Sequence, residues 1–126
     1  MRSLARRPTA VAILAIVAAA TAALAAQLAP PRAEMVAALR KYTSNGCVPT
    51  TASVLDAAGV DPAKIAGLSY YPSGGSADVG GANRLDAYVK LSDQSGSIVI
   101  HHKLDCAPIS IYTSGSVKLP RQPDLR

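Results

Sequence analysis

Apolar and polar residues alternate strictly over residues 85–91: Leu85, Ala87, Val89 and Leu91 interleave with Asp86, Tyr88 and Lys90. Alternate side chains of an extended chain point to opposite faces, so this period of two predicts a half-buried strand. Ile98, Ile100, His102 and Leu104 keep the same period, and continuing their phase puts Cys106 on the inner side too. Ile109 and Ile111 predict a further strand, with Tyr112 facing away from them. Residues 65–71 predict a strand stopped by Pro72, and residues 117–119 a short edge. Residues 73–83 hold four Gly and read as a loop, while residues 93–96 and Ser114-Gly115 read as turns.

Nearer the start the apolar period lengthens. Met35, Val36, Leu39 and Tyr42 fall at helical spacing and predict a helix over residues 33–43. Glu34 near its start and Arg40-Lys41 near its end suit the helix dipole, and Asn45-Gly46 stops it. Thr50 or Thr51 caps a second short helix whose apolar side is Val54, Leu55 and Ala58. Gly59 ends that helix, Val60 packs back across its end, and Asp61-Pro62 opens one more turn through Lys64. Helices followed by short, closely connected strands predict an α+β fold. The expectation is one or two N-terminal helices packed on a small antiparallel sheet of three to five strands, with one disulfide. The 126 residues suit one domain, expected over residues 33–119, followed by a flexible tail over 120–126.

The first residues obey a different rule. Arg2, Arg6 and Arg7 precede an uncharged apolar run over residues 10–24, and Ala23-Leu24-Ala25 gives a small-x-small pattern. Basic start, apolar run and small-residue cut site predict a secretory signal peptide over residues 1–25, followed by a linker over 26–32. The alternative is a retained membrane anchor, for which residues 10–29 are long enough. The expected location is the periplasm or the exterior; with the anchor kept, the chain faces the periplasm from the membrane.

Cleavage changes the charge argument. The full chain carries +5, but three of its 13 basic residues precede residue 26, as do none of its eight acids. The mature chain keeps ten basic residues against eight acids, a net +2 with no basic run, which gives nucleic-acid binding no support. Cys47 and Cys106 are the two cysteines. Export makes a disulfide between them the expected state, closing a loop of 60 residues counting both ends. Neither sits in a CxxC pair, and no Cys/His pair has zinc-ligand spacing. Trp and Phe are absent, so the 49% hydrophobic content is carried mainly by Ala, Val, Ile and Leu, with five Tyr as the aromatic residues. Collagen-like, coiled-coil and zinc-cluster classes fail on this composition.

Few residues point to chemistry. His101 and His102 are adjacent on a strand and face opposite ways, so they do not grip one metal together. His102 follows the apolar phase and reads as a hydrogen-bonded core histidine; His101, with Val99 and Lys103, reads as solvent-facing. No GxSxG elbow occurs, and Asp105 after the histidines reads as a turn residue. The glycine-rich loop spaces Gly75 and Gly80 like the start of a phosphate-binding loop, but Gly81 and Ala82 stand where Lys and Ser/Thr belong. Its small residues Gly74, Gly75, Gly80 and Gly81 suit contact with a partner. Tyr70, Tyr71, Tyr88 and Tyr112 complete the set. Tyr88 and Tyr112 follow the outward phase, where Tyr offers large contact area at low entropy cost.

The segment over residues 41–59 resembles the region of type IV pilins and pseudopilins where the long N-terminal helix ends. The matching residues are Asn45, Gly46, Pro49 and Thr50, ahead of a short helix and an antiparallel sheet. The resemblance implies a filament subunit that retains its apolar N-terminal helix. The chain departs from the family in having Arg7-Pro8-Thr9 without a preceding Gly, and no acid before Glu34.

The expected function is therefore an exported, non-enzymatic envelope protein acting as a protein–protein interaction or structural module. No cofactor, metal or catalytic residue is expected. The expected partner is another envelope or extracellular protein. The alternatives are a pilin-like or pseudopilin-like subunit and a small periplasmic enzyme using a histidine.

Overall fold

The computed structural model describes residues 28–75 and 81–126. The expected signal peptide, and Gly80 with its neighbours in the glycine-rich loop, lie outside the described residues. Among the described residues two α-helices pack on a four-stranded antiparallel sheet, an α+β fold closed by one disulfide.

Helix α1 spans Ala33–Arg40 and buries Met35, Ala38 and Leu39, with Glu34 in its first turn and Arg40 in its last. It stops three residues short of the expected end. The Tyr42 amide bonds to the Leu39 carbonyl in a tightened turn, and Thr43 and Asn45 then take over local hydrogen bonding. Tyr42 therefore leaves the apolar face: it is largely exposed, and its hydroxyl reaches the Ile65 carbonyl at 3.4 Å.

Helix α2 spans Val48–Ala57 and begins with Cys47 as its N-cap. The expected threonine cap is thus displaced. Pro49 in the first turn needs no amide partner, and the Asn45 side chain accepts the Cys47 amide at 2.8 Å. Thr51 is consequently inside the helix and fully buried. The helix ends as expected. Gly59 has φ +79°, its amide bonds to the Asp56 carbonyl, and the Val60 amide bonds to the Leu55 carbonyl. That paired pattern needs a left-handed residue at Gly59 and folds Val60 into the core. The Asp61 carboxylate then caps a 3-10 turn over Pro62–Lys64 by accepting the Ala63 amide.

Strands β1 (Ile65–Ser73), β2 (Arg84–Leu91), β3 (Gly96–Lys103) and β4 (Pro108–Gly115) follow as a meander in spatial order β1-β2-β3-β4. Strand β1 continues through Pro72, which was expected to stop it, to pair Ser73 with Arg84. An edge strand tolerates proline because one side of its backbone has no ladder to donate to. The inner face carries Ile65, Leu68, Ala87, Val89, Leu91, Ile98, Ile100 and Ile111 against the apolar sides of both helices.

The inner phase of β3 breaks after Lys103. The Cys106 amide bonds back to the Lys103 carbonyl and the Lys103 amide to the Ala107 carbonyl. This tight turn leaves Leu104 62% exposed, against expectation, and holds Cys106 at φ +76°. Cys106 thus reaches Cys47 from a turn rather than from a strand position. The disulfide joins the start of α2 to the β3–β4 connection across a separation of 59 residues. The edge expected over residues 117–119 forms no strand. Val117 is buried, while Ser116 and Lys118 bond to Ser95 and Gln94. Beyond it the terminal segment lies against the helices: Leu125 packs on the core, and the Arg121 amide bonds to the Ala58 carbonyl at 3.0 Å.

Candidate functional site

The antiparallel register arranges the polar phase of the strands in rows across the outer face of the sheet. One row runs Tyr71, Asp86, His101, Ser110; a second runs Ser69, Tyr88, Val99, Tyr112; a third runs Ser73, Arg84, Lys103. Directly opposed residues lie close enough to touch across an antiparallel pair. The rows therefore bring together side chains that are up to 43 positions apart, as Ser69 and Tyr112 are.

Asp86 organises the centre. It is 3% exposed although it sits on the polar phase of β2. Its Oδ1 accepts from Arg84 Nε at 2.8 Å and lies 3.0 Å from His101 Nδ1. Its Oδ2 accepts from the Ser73 hydroxyl at 2.7 Å, and Arg84 Nη2 donates to that hydroxyl oxygen at 2.7 Å. Burial alone raises the carboxyl pKa, but the hydrogen bonds from Arg84 and Ser73, with the nearby His101 and the Arg84 charge, outweigh it. The net result is a carboxyl held below the ordinary carboxylate value. An ionised carboxylate only accepts, so His101 carries its proton on Nδ1 and turns Nε2 away from Asp86.

Aromatic rings flank this network. Tyr71 and Tyr88 meet edge to face with centroids 5.5 Å apart, and the Tyr112 ring lies 5.2 Å from the His101 ring. Tyr71 and Tyr112 are 56% and 46% exposed, and Tyr88 is half-buried. Between Tyr88 and Tyr112 in their row, Val99 is buried on this face as well. An open cleft of 260 Å³ lies beside the tyrosine pair, lined by Gly67, Ser69, Tyr71, Tyr88, Lys90 and Ser97.

The inner histidine has a different role. His102 is fully buried, with Nδ1 3.2 Å from the Leu85 carbonyl and Nε2 3.0 Å from Thr51 Oγ1. Burial pushes this imidazole below its ordinary pKa, which favours the neutral ring. Nδ1–H then donates to Leu85, and Nε2 accepts from the Thr51 hydroxyl, whose other acceptor is the Cys47 carbonyl at 3.1 Å. Tyr70 OH, 2.6 Å from Thr51 Oγ1, donates into the same oxygen. These hydrogen bonds lock α2 to the sheet.

Against the sequence reading, Tyr88 and Tyr112 stand on the outer face in one row, and the structure adds Tyr71, Arg84, Asp86 and Ser73 to them. His101 stands against Asp86 and is mostly covered rather than solvent-facing. The clue available in sequence was Arg84-x-Asp86 on the polar phase of a strand, in hairpin register with a histidine. Two of the loop glycines, Gly74 and Gly75, also have local work. A side chain on Gly74 would collide with the Asn83 side chain, and one on Gly75 with the Gly81 carbonyl, because the two ends of the loop meet there. Among the described residues no group of three His, Cys, Asp or Glu could hold a metal ion, and no helix is long and apolar enough to cross a membrane. The disulfide is compatible with an oxidising compartment.

A hollow of 530 Å³ lies on the helix side and is lined by Arg32, Asp56 and Arg121 among others. Its charged groups are already engaged: Arg32 pairs with Asp56 at 2.8 Å, and Arg121 bonds to the carbonyls that end α2. The outer sheet face therefore carries the more available chemistry. Compared with known protein families, curated proteins and solved structures, the chain matches none of them.

Proposed function

We propose that this is an exported, non-enzymatic envelope protein that binds another protein through the outer face of its sheet. The observation that supports this reading is the set of three tyrosines and an arginine held around the buried Asp86. Tyr and Arg are the residue types that concentrate at protein interfaces, and here both are pre-ordered, Arg84 by Asp86 and Tyr88 by Tyr71. A surface fixed before binding loses less entropy when a partner arrives. The test is affinity capture from the native envelope with Tyr88→Ser and Tyr112→Ser variants. Loss of the captured partner supports the reading, and full retention by the double variant contradicts it.

A second reading has one specific observation behind it. Asp86, His101 and Ser110 occupy one row on three adjacent strands, and Asp86 leaves His101 Nε2 as a free acceptor. That order is the one a serine hydrolase uses. A fluorophosphonate probe decides it: labelling of Ser110 that disappears in a His101→Gln variant supports hydrolysis, and no labelling removes it.

A further inference from the structure

The charges on the outer face say what kind of partner segment fits it. Resting on the interaction reading above, we infer that the sheet face binds an extended acidic segment of a partner protein, with carboxylates about six residues apart.

Arg84, Lys90 and Lys103 all follow the outward phase, and Asp86 is the acid they share the face with among the described residues. Asp86 is buried and already committed to Arg84, Ser73 and His101. Lys90 and Lys103 are exposed and have no acid within 4.0 Å among the described residues. The other described acids are engaged elsewhere: Asp56 with Arg32, Asp93 with Lys64, Asp124 with Arg126, Asp61 and Asp105 with backbone amides of their own turns. Glu34 stands at the start of α1, on the helix side.

The register makes the imbalance sharper. Arg84 and Lys103 are directly opposed on β2 and β3. Like charges in opposed positions destabilise a sheet, and Asp86 offsets the Arg84 charge but not that of Lys103. A carboxylate from outside relieves this repulsion. Lys90 supplies the second anchor at the other end of β2, beside the tyrosine cleft. Six residues of strand separate Arg84 from Lys90, roughly 20 Å at the rise of an extended chain. A partner segment that is itself extended covers the same distance with the same number of residues. Its middle then lies over Asp86, whose charge Arg84 already offsets, and over the Tyr88 ring, with Val99 beside it on β3.

The test is a titration of the 15N-labelled full chain followed by amide NMR shifts. One probe is an eight-residue peptide with two Glu at each end and an apolar middle. The second replaces every Glu by Lys, and the third is polygalacturonate. Shifts confined to β2 and β3 with the Glu peptide alone are the expected result. Binding weakens about tenfold in a Lys90→Glu/Lys103→Glu variant, less in Lys90→Gln/Lys103→Gln, and weakens as salt is raised. Equal binding of both peptides, shifts on the helix side, no shifts at millimolar peptide, or binding of polygalacturonate alone each overturn the inference. Capture of the native partner separates this from the parent reading. If the lysine variants keep that partner while Tyr88→Ser/Tyr112→Ser loses it, the acidic-segment inference falls and the interaction face stands; if both keep it, both fall.

Discussion

Asp86 Oδ1 on β2 lies 3.0 Å from His101 Nδ1 on the opposed position of β3. The same carboxylate orders Arg84 and Ser73, and so holds a charged centre among the rings of Tyr71, Tyr88 and Tyr112.

Asp86→Asn is expected to destabilise the fold by about 2 kcal/mol, because the charge-assisted bonds from Arg84 and Ser73 weaken together with the His101 contact. Urea unfolding measures the loss. NMR of the His101 ring nitrogens gives the local readout: wild type shows the proton on Nδ1, and the variant loses that bias. An unchanged midpoint and an unchanged tautomer contradict the network. Acid acts on the same carboxyl. Its folded pKa is depressed below the ordinary 3.8, so its stabilisation is present above that value and lost as pH falls through the depressed one.

His102 gives a second pH dependence, at milder acidity. Its folded pKa lies below the ordinary 6.5, chiefly because of burial, so the unfolded chain takes up the proton first as pH falls. Its contribution is complete above the ordinary value and is lost as pH falls through the depressed one. Stability measured at pH 7.5 and pH 5 is expected to drop more in wild type than in a His102→Gln variant, which has no ring to protonate. Equal drops contradict the buried neutral histidine.

The Cys47–Cys106 bridge ties the start of α2 to the β3–β4 turn, and its loop length puts its worth at roughly 4 kcal/mol in the chain-entropy picture. A Cys47→Ala/Cys106→Ala variant is expected to lose that order of stability while keeping the sheet register, because the inner face is apolar without the bridge. Denaturant unfolding of the oxidised, reduced and substituted forms checks it. Identical midpoints in all three contradict the assignment.

The sequence carried the sheet's two faces well, because alternation over residues 85–91 and 98–102 is set by strand geometry alone. It carried the end of α2 equally well, since Gly59 and Val60 form a local motif. It failed where a nonlocal partner decides. Thr51 reads as a helix cap but is held inside by His102 and Tyr70, from two different strands. Leu104 reads as core, yet the turn that brings Cys106 to Cys47 throws it outward. The site failed for the same reason. Tyr88 and Tyr112 are visible from their phase, whereas Asp86 acquires its role from Arg84, Ser73 and His101, and only the strand register joins those three.

The interaction face is tested most directly by placing a photo-crosslinking amino acid at Tyr112 in one sample and at Ala37, exposed on the helix side, in another, each in the native envelope. The account predicts a discrete crosslinked protein from position 112 that is absent from position 37. Crosslinks from position 37 alone, or none from position 112, contradict the central claim.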